Sequence, residues 1–283
     1  SVAVIEKDRV GGTCLNRGCI PSKAFLRSAE LYRNALNSGD YGIQVSDVKL
    51  DFDQVKTRKN TIVDQLAKGI EFLFKKNQID YYQGIGRLAG AESDNKLVEF
   101  LPTEGEANLL KAKNIVLATG SRPRILPGLT IDGEQLVTSD EAFEMNDLPE
   151  SIVIVGGGVI GMEWASLLHD FGVAVTVVEY LDRILPYEDE EVSKELTRVM
   201  KRRKVKIMTG AGLIADSIRI EPNQVIMNVN HKDKLVELTA DRVMIAVGSE
   251  AVVDGLGLEQ SAVEIQRGVI MFNDLYQTAD PQL

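Results

Sequence analysis

The sequence predicts an α/β protein in which one nucleotide-binding unit is inserted into another, and three observations predict it. A branched apolar run at residues 152–155 leads through a glycine turn and a helical pattern into a second strand at 173–178. Two stretches share an apolar strand that ends in small residues, Ile-Val-Leu-Ala-Thr-Gly at 115–120 and Val-Met-Ile-Ala-Val-Gly at 243–248. Glu6 and Glu179 each close a branched strand, so they hold equivalent places in a weak internal repeat.

Taken in order, residues 2–5 read as a strand ending at Glu6, and residues 24–36 follow with helical spacing. Residues 53–75 repeat apolar side chains at helical intervals (Val55, Ile62, Val63, Leu66, Ile70, Leu73), and short strands are expected around Tyr81 and at 97–100. Pro127, Pro149 and several acidic residues mark 126–149 as a connection between domains, with a boundary near Glu150. The second unit then runs strand, glycine turn, helix to about Asp170, Gly172 as its C-terminal stop, and strand. This is a complete βαβ unit of Rossmann type. The first unit starts at what reads as its second strand, so a preceding strand and glycine turn are expected to be missing. After Leu258 a strand is expected at 269–272, and the C-terminus also reads as incomplete.

Composition narrows the function. The 283 residues are 44% hydrophobic, enough for sizeable cores. The longest uncharged apolar stretch, residues 151–162, falls well short of the roughly 20 residues that span a bilayer. A net charge of −10 repels phosphate backbones, and the Lys201-Arg202-Arg203-Lys204 cluster reads as a solvated helix end, so neither membrane nor nucleic acid is an expected partner. Two cysteines are too few for a secreted disulfide framework, which points to a reducing compartment, the cytoplasm or an organelle matrix.

The chemistry concentrates in thirteen residues, Gly11-Gly12-Thr13-Cys14-Leu15-Asn16-Arg17-Gly18-Cys19-Ile20-Pro21-Ser22-Lys23. Paired glycines let backbone N–H groups approach a pyrophosphate at a helix N-terminus, whose field also favours a thiolate. Cysteines five apart close a small ring, so a disulfide there gains little chain-entropy stabilisation and is readily reduced, as a catalytic bridge should be. Buried structural thiols are the plainer alternative, and the flanking glycines, Pro21 and Lys23 argue against it.

A second motif, Gly156-Gly157-Gly158-Val159-Ile160-Gly161, matches G-x-G-x-x-G after a strand and before a helix. Glu179 stands eighteen residues beyond Gly161, where an acid binds a ribose 2′-hydroxyl and repels a 2′-phosphate, which favours NAD over NADP. The two histidines, His169 and His231, read as surface residues, and no cluster has metal-ligand spacing.

With these motifs in their order, the chain resembles the pyridine nucleotide–disulfide oxidoreductases over almost its whole length. The resemblance implies two Rossmann-like domains, the NAD domain inserted in the FAD domain: residues 1–149 bind FAD, 150–262 bind NAD, 263–283 return to the FAD domain, and a C-terminal interface domain is absent. It implies that Cys14 exchanges with a dithiol substrate, dihydrolipoamide on the lipoyl domain of a 2-oxoacid dehydrogenase or glycine cleavage complex. Cys19 becomes the thiolate in charge transfer with the flavin, Lys23 sits beside flavin N5 paired with Glu163, and Glu6 holds the adenosine ribose of FAD. Gly11, Gly12, Thr13 and the turn Ala118-Thr119-Gly120 contact FAD, while Gly156, Gly158, Val159, Ile160, Gly161, Glu179, Val247 and Gly248 contact NAD. Glutathione reductases of the family place an arginine at position 179 and a tyrosine at 159; this chain has neither, and a mercuric-reductase-like member is a remaining alternative. The family's Arg-x-Pro-Asn after position 248 is replaced by Ser249-Glu250-Ala251-Val252. The resemblance also implies a homodimeric parent whose catalytic histidine comes from the absent domain. A non-catalytic NAD-binding fragment is the reading from another class.

Overall fold

A computed structural model describes residues 1–283. In chain order the elements are β1 (Val2–Glu6), α1 (Gly12–Arg17), α2 (Cys19–Leu36), α3 (Phe52–Lys76), β2 (Ile79–Glu92), β3 (Asn95–Pro102), β4 (Asn108–Ala112), β5 (Ser121–Pro123), β6 (Leu136–Val137), α4 (Ser139–Ala142), β7 (Ser151–Val155), α5 (Val159–Asp170), β8 (Ala174–Val178), α6 (Glu190–Arg202), β9 (Lys206–Met208), β10 (Ala211–Glu221), β11 (Gln224–His231), β12 (Lys234–Ala240), β13 (Arg242–Ile245), β14 (Ser249–Ala251), β15 (Ile265–Gln266) and β16 (Val269–Ile270). They pack as two compact units. The first gathers residues 1–16, 64–122 and 250–283, and the second residues 17–63 and 123–249.

In the second unit a parallel sheet of order β6-β13-β7-β8-β9 forms the centre. Alternate residues of a strand face opposite sides, so β7 explains the layering. Ile152 and Ile154 enter one core with Trp164, Leu167 and Leu168 of α5 and Phe25 and Ala29 of α2. Val153 and Val155 enter the other, with Val225, Met227 and Val229 of the antiparallel sheet β10-β11-β12. Burial on both faces is why β7 reads as an unbroken apolar run. Phe25 meets Trp164 edge-on at 6.1 Å, and Phe143 lies 5.0 Å from the same indole. Gly172, at φ +96°, follows the last turn of α5 and lets the chain turn back into β8.

The first unit has a mixed sheet of order β1-β2-β3-β4, with β1 parallel to β2 and the rest antiparallel. Leu88, Leu258 and Leu283 make a core cluster, flanked by Ile115, Leu117 and Val253. A buried ion pair joins Lys96 to Asp280.

Several expectations are corrected. Residues 115–120 do not form a strand: no ladder runs along them, Ile115 donates a single backbone bond to Gln282 O at 2.8 Å, and Val116 is 89% exposed. The internal repeat therefore stops short of this segment. The supposed connection at 126–149 contributes β6 to the parallel sheet and buries Leu136, Val137, Ala142, Phe143 and Met145. Its signal was hidden because the strand is only two residues long and α4 only four, below any readable period. A capping box between Thr138 and Glu141 starts α4. The strand expected at 269–272 shrinks to β16, and those near Tyr81 and Phe100 lengthen into β2 and β3. Residues 17–63 pack with the parallel-sheet unit, because Phe25, Ala29 and Phe52 lie in its core. No helix is long and apolar enough to cross a membrane.

Candidate redox and nucleotide sites

The glycine turn of the second unit is built by close approach. Gly156 has φ +115°, and a Cβ there would run into the carbonyl of Ala246 and lie 3.2 Å from Val247 N. Gly161 lies in the first turn of α5, and a Cβ there would strike the Gly156 carbonyl, so glycine at both positions lets the helix sit tight on β7 and β13. Val247 and Gly248 thus border the turn, and Gly248 O accepts Arg124 N at 2.9 Å. Gly158, by contrast, caps the twelve-residue α5 with open space where a Cβ would be. Val159 and Ile160 are exposed beside it. This is a cradle that bare backbone leaves free at the positive end of a helix, which suits a pyrophosphate.

Glu179 is 7% exposed, and its carboxylate is shared with the turn. Oε2 accepts Gly157 N at 2.6 Å and Oε1 accepts Leu181 N at 2.8 Å. The acid therefore shapes the loop as well as facing it. Glu6, half-buried at the end of β1, accepts Asp8 N at 2.9 Å in the same two-residues-on pattern.

Lys23 stands one turn into α2 and Glu163 one turn into α5, and Lys23 Nζ donates to Glu163 Oε1 at 2.6 Å. Side-chain exposures of 59% and 27% leave the pair open on one side. At the far ends of the same helices Asp170, 6% exposed, accepts from Arg33 at 3.0 Å and from Arg203 at 2.6 Å. Charge pairs at both ends and the Phe25–Trp164 contact between them hold α2 on α5. Cys19 is exposed and opens the eighteen-residue α2, at the end that favours negative charge.

In the first unit Gly11 and Gly12 take φ of +116° and +65°, and Cys14 is exposed on α1 just after them. Gly12, Thr13, Ala118, Thr119 and Gly120 are all exposed. A Cβ on Gly120 would lie 3.8 Å from Thr13 Oγ1, so the two glycine-bearing segments are neighbours. Thr119 Oγ1 donates to Val252 O at 2.7 Å, and Val252 N donates to Gly120 O at 3.0 Å. The departure at 249–252 is accommodated nearby: Arg122 Nε donates to Glu250 Oε1 at 2.6 Å.

Two residues escaped sequence reasoning. Asn16, inside the motif, donates from Nδ2 to the carbonyls of Arg9, Val10 and Gly12 at 3.1 to 3.2 Å, pinning the glycine turn from its own helix. Its Oδ1 is buried without a partner. Arg17 comes within 3.9 Å of Asp140, whose carboxyl is pushed up by burial and pulled back by that guanidinium. An asparagine within a turn of a glycine pair is the signal that could have found the first. The histidines are half-buried, His169 in the last turn of α5 and His231 at the end of β11. Burial lowers the His169 pKa, and Arg203 lowers it further. No group of His, Cys, Asp and Glu could hold a metal.

The pyridine nucleotide-disulphide oxidoreductase model matches residues 1–283. The dihydrolipoyl dehydrogenase of Bacillus subtilis is 45% identical over 285 aligned residues, covering 99% of this chain and 60% of that protein. The dihydrolipoamide dehydrogenase of Chaetomium thermophilum is 37% identical, covering 100% and 56%. Among solved structures, LpdA from Mycobacterium tuberculosis superposes with a TM-score of 0.90 at 26% identity, covering 99% of this chain and 60% of that one. The HOCl-induced flavoprotein disulfide reductase RclA of Escherichia coli, as its Cu(II) complex, gives 0.82 at 25%, covering 99% and 58%. The chain thus spans about three fifths of the length of the relatives it matches. The glycine cradle agrees with a family match that runs over residues 1–283: the chain belongs to the pyridine nucleotide-disulphide oxidoreductase family.

Proposed function

We propose that the chain is the nucleotide-binding and redox portion of a dihydrolipoyl dehydrogenase, which oxidises dihydrolipoamide and delivers the electron pair to NAD. The observation that carries this reading is the open glycine cradle at α5 with an acid, Glu179, built into it, in a chain 45% identical to a protein of that name.

The chain's own residues divide the work. A substrate thiolate attacks Cys14 of a Cys14–Cys19 disulfide, forming a mixed disulfide and releasing Cys19 as thiolate. The second substrate thiol then displaces Cys14, so the substrate leaves as a cyclic disulfide and the protein keeps two electrons. FAD held by this chain would supply a two-electron relay between those thiols and the nicotinamide. Gly11, Gly12, Thr13 and the 118–120 turn would hold it, with Glu6 on its ribose; the positive φ values of the glycine pair and its exposed backbone suit a phosphate there. Lys23, kept by Glu163, holds a positive charge where negative charge develops. Gly156, Gly158, Val159, Ile160, Gly161, Val247 and Gly248 would cradle NAD, and the Glu179 carboxylate would disfavour a 2′-phosphate. The partner is the lipoyl domain of a 2-oxoacid dehydrogenase or glycine cleavage complex, the parent is a homodimer, and a reducing compartment such as the cytoplasm or an organelle matrix suits its thiols.

The test is formation of NADH from dihydrolipoamide and NAD by the protein reconstituted with FAD in its full-length context. C14S and C19S should each lower turnover by a factor of about a thousand or more, and NADP should replace NAD poorly. Activity that survives both substitutions would overturn the reading.

A further inference from the structure

We propose that Ser193 is a positioning residue for the dinucleotide loop, setting the direction of the Gly158 N–H through two intervening peptide groups. The inference rests on the reading of the glycine turn as an NAD site.

Ser193 lies in the first turn of α6 and is 1% exposed. A serine inside a helix usually bonds back to the carbonyl four residues earlier or faces water. Ser193 does neither: its hydroxyl donates at 2.5 Å to the carbonyl of Ile184, nine residues away and itself fully buried. That carbonyl belongs to the same peptide group as Leu185 N–H, which donates at 2.8 Å to Gly157 O. Gly157 is held on its other side too, since its own N–H donates to Glu179 Oε2 at 2.6 Å.

The consequence follows from peptide geometry. A trans peptide is planar, with its C=O and N–H pointing opposite ways. Fixing Gly157 O on Leu185 N therefore aims Gly158 N–H away from the 181–185 loop, at the helix N-terminus where a Cβ on Gly158 would meet nothing within 4 Å. Each hydrogen bond in the series also polarises the next, which strengthens the terminal donor. Leu185 holds φ +47°, a left-handed conformation that a branched apolar side chain adopts only when its surroundings impose it. Ser193 supplies one such constraint, because its bond fixes the carbonyl side of the same peptide. The chain of donors thus runs from a buried hydroxyl on α6 to the Gly158 N–H at the start of α5.

A purely structural serine would affect every ligand of the unit alike. A serine that aims Gly158 N–H affects only ligands with phosphate at that place. The test compares equilibrium binding of ADP-ribose and of adenosine to the whole chain and to S193A. The expected result is an ADP-ribose Kd raised about five- to tenfold, with the adenosine Kd changed less than about twofold. Equal ADP-ribose affinities, or equal losses for both ligands, would overturn the proposal. If S193A failed to fold, S193C, a close steric match and a weaker donor, should show the same difference at reduced size, and equal affinities there would overturn it as well. Failure of the unsubstituted chain to bind ADP-ribose would instead remove the NAD reading, and this proposal with it.

Discussion

The two units carry their chemistry on very different foundations. In the parallel-sheet unit both faces of β7 are buried, and the indole of Trp164 is sealed among Phe25 and Phe143. In the other unit the buried apolar cluster is small, Leu88, Leu258 and Leu283, and the segment after Ile115 stays open, with Val116 89% exposed. The difference teaches that the glycine cradle at α5 is fixed by a large core, whereas the glycine pair near Cys14 leans on local devices such as the three bonds of Asn16.

Truncating a sealed side chain of one unit and an open one of the other is the strongest way to break this comparison. Trp164→Ala should cost about 3–5 kcal/mol of stability, the range for a fully buried aromatic, whereas Val116→Ala should stay within about 0.5 kcal/mol, as for an open surface position. Denaturant unfolding of both variants checks it, and comparable losses would refute the contrast. A smaller effect is expected at the helix pair. Glu163→Gln should change stability by about 1 kcal/mol or less, because the ion pair is partly solvated, yet slow the flavin-linked oxidation about tenfold by withdrawing the partner that holds Lys23. A large loss of stability with unchanged turnover would reverse that assignment.

The smallest expected effect is a pH dependence. Burial, then Arg203, lower the His169 pKa in the folded chain below the usual 6.5. The unfolded chain then takes up a proton first as pH falls, so stability is complete above about pH 6.5 and declines as pH drops towards the folded pKa. His169→Gln should flatten that decline without altering stability at pH 8. A variant with the same acid-side slope as the parent would show that other groups set it.

How much of this was legible in the sequence depended on length and periodicity. The Rossmann unit was readable because the apolar runs of β7 and β8 flank a glycine turn and the twelve-residue α5, and because Gly156 and Gly161 answer to steric demands that no other residue meets. Helix α3 was legible for the same reason. The stretch at 126–149 was not: β6 and α4 are shorter than a readable repeat, and their burial comes from neighbours far along the chain. The strand expected at 115–120 failed in the opposite way, since an apolar run becomes a strand only where another strand lies alongside to take its N–H and C=O groups. At the sites, residue types marked the cysteines, glycines and Glu179, and the Lys23–Glu163 pair came through family resemblance alone. Neither route shows that Glu179 spends both oxygens on backbone or that Ser193 reaches back to Ile184, because those depend on distances between segments that sequence does not encode locally.

The central claim is that Cys14 and Cys19 form one exchangeable redox pair. Thiol titration of the mildly oxidised chain, before and after dihydrolipoamide, tests it most directly and without cofactor. The account predicts that two thiols per chain appear, from the two cysteines the chain contains, and that C14S or C19S eliminates this gain. Unchanged thiol content after dihydrolipoamide would contradict it.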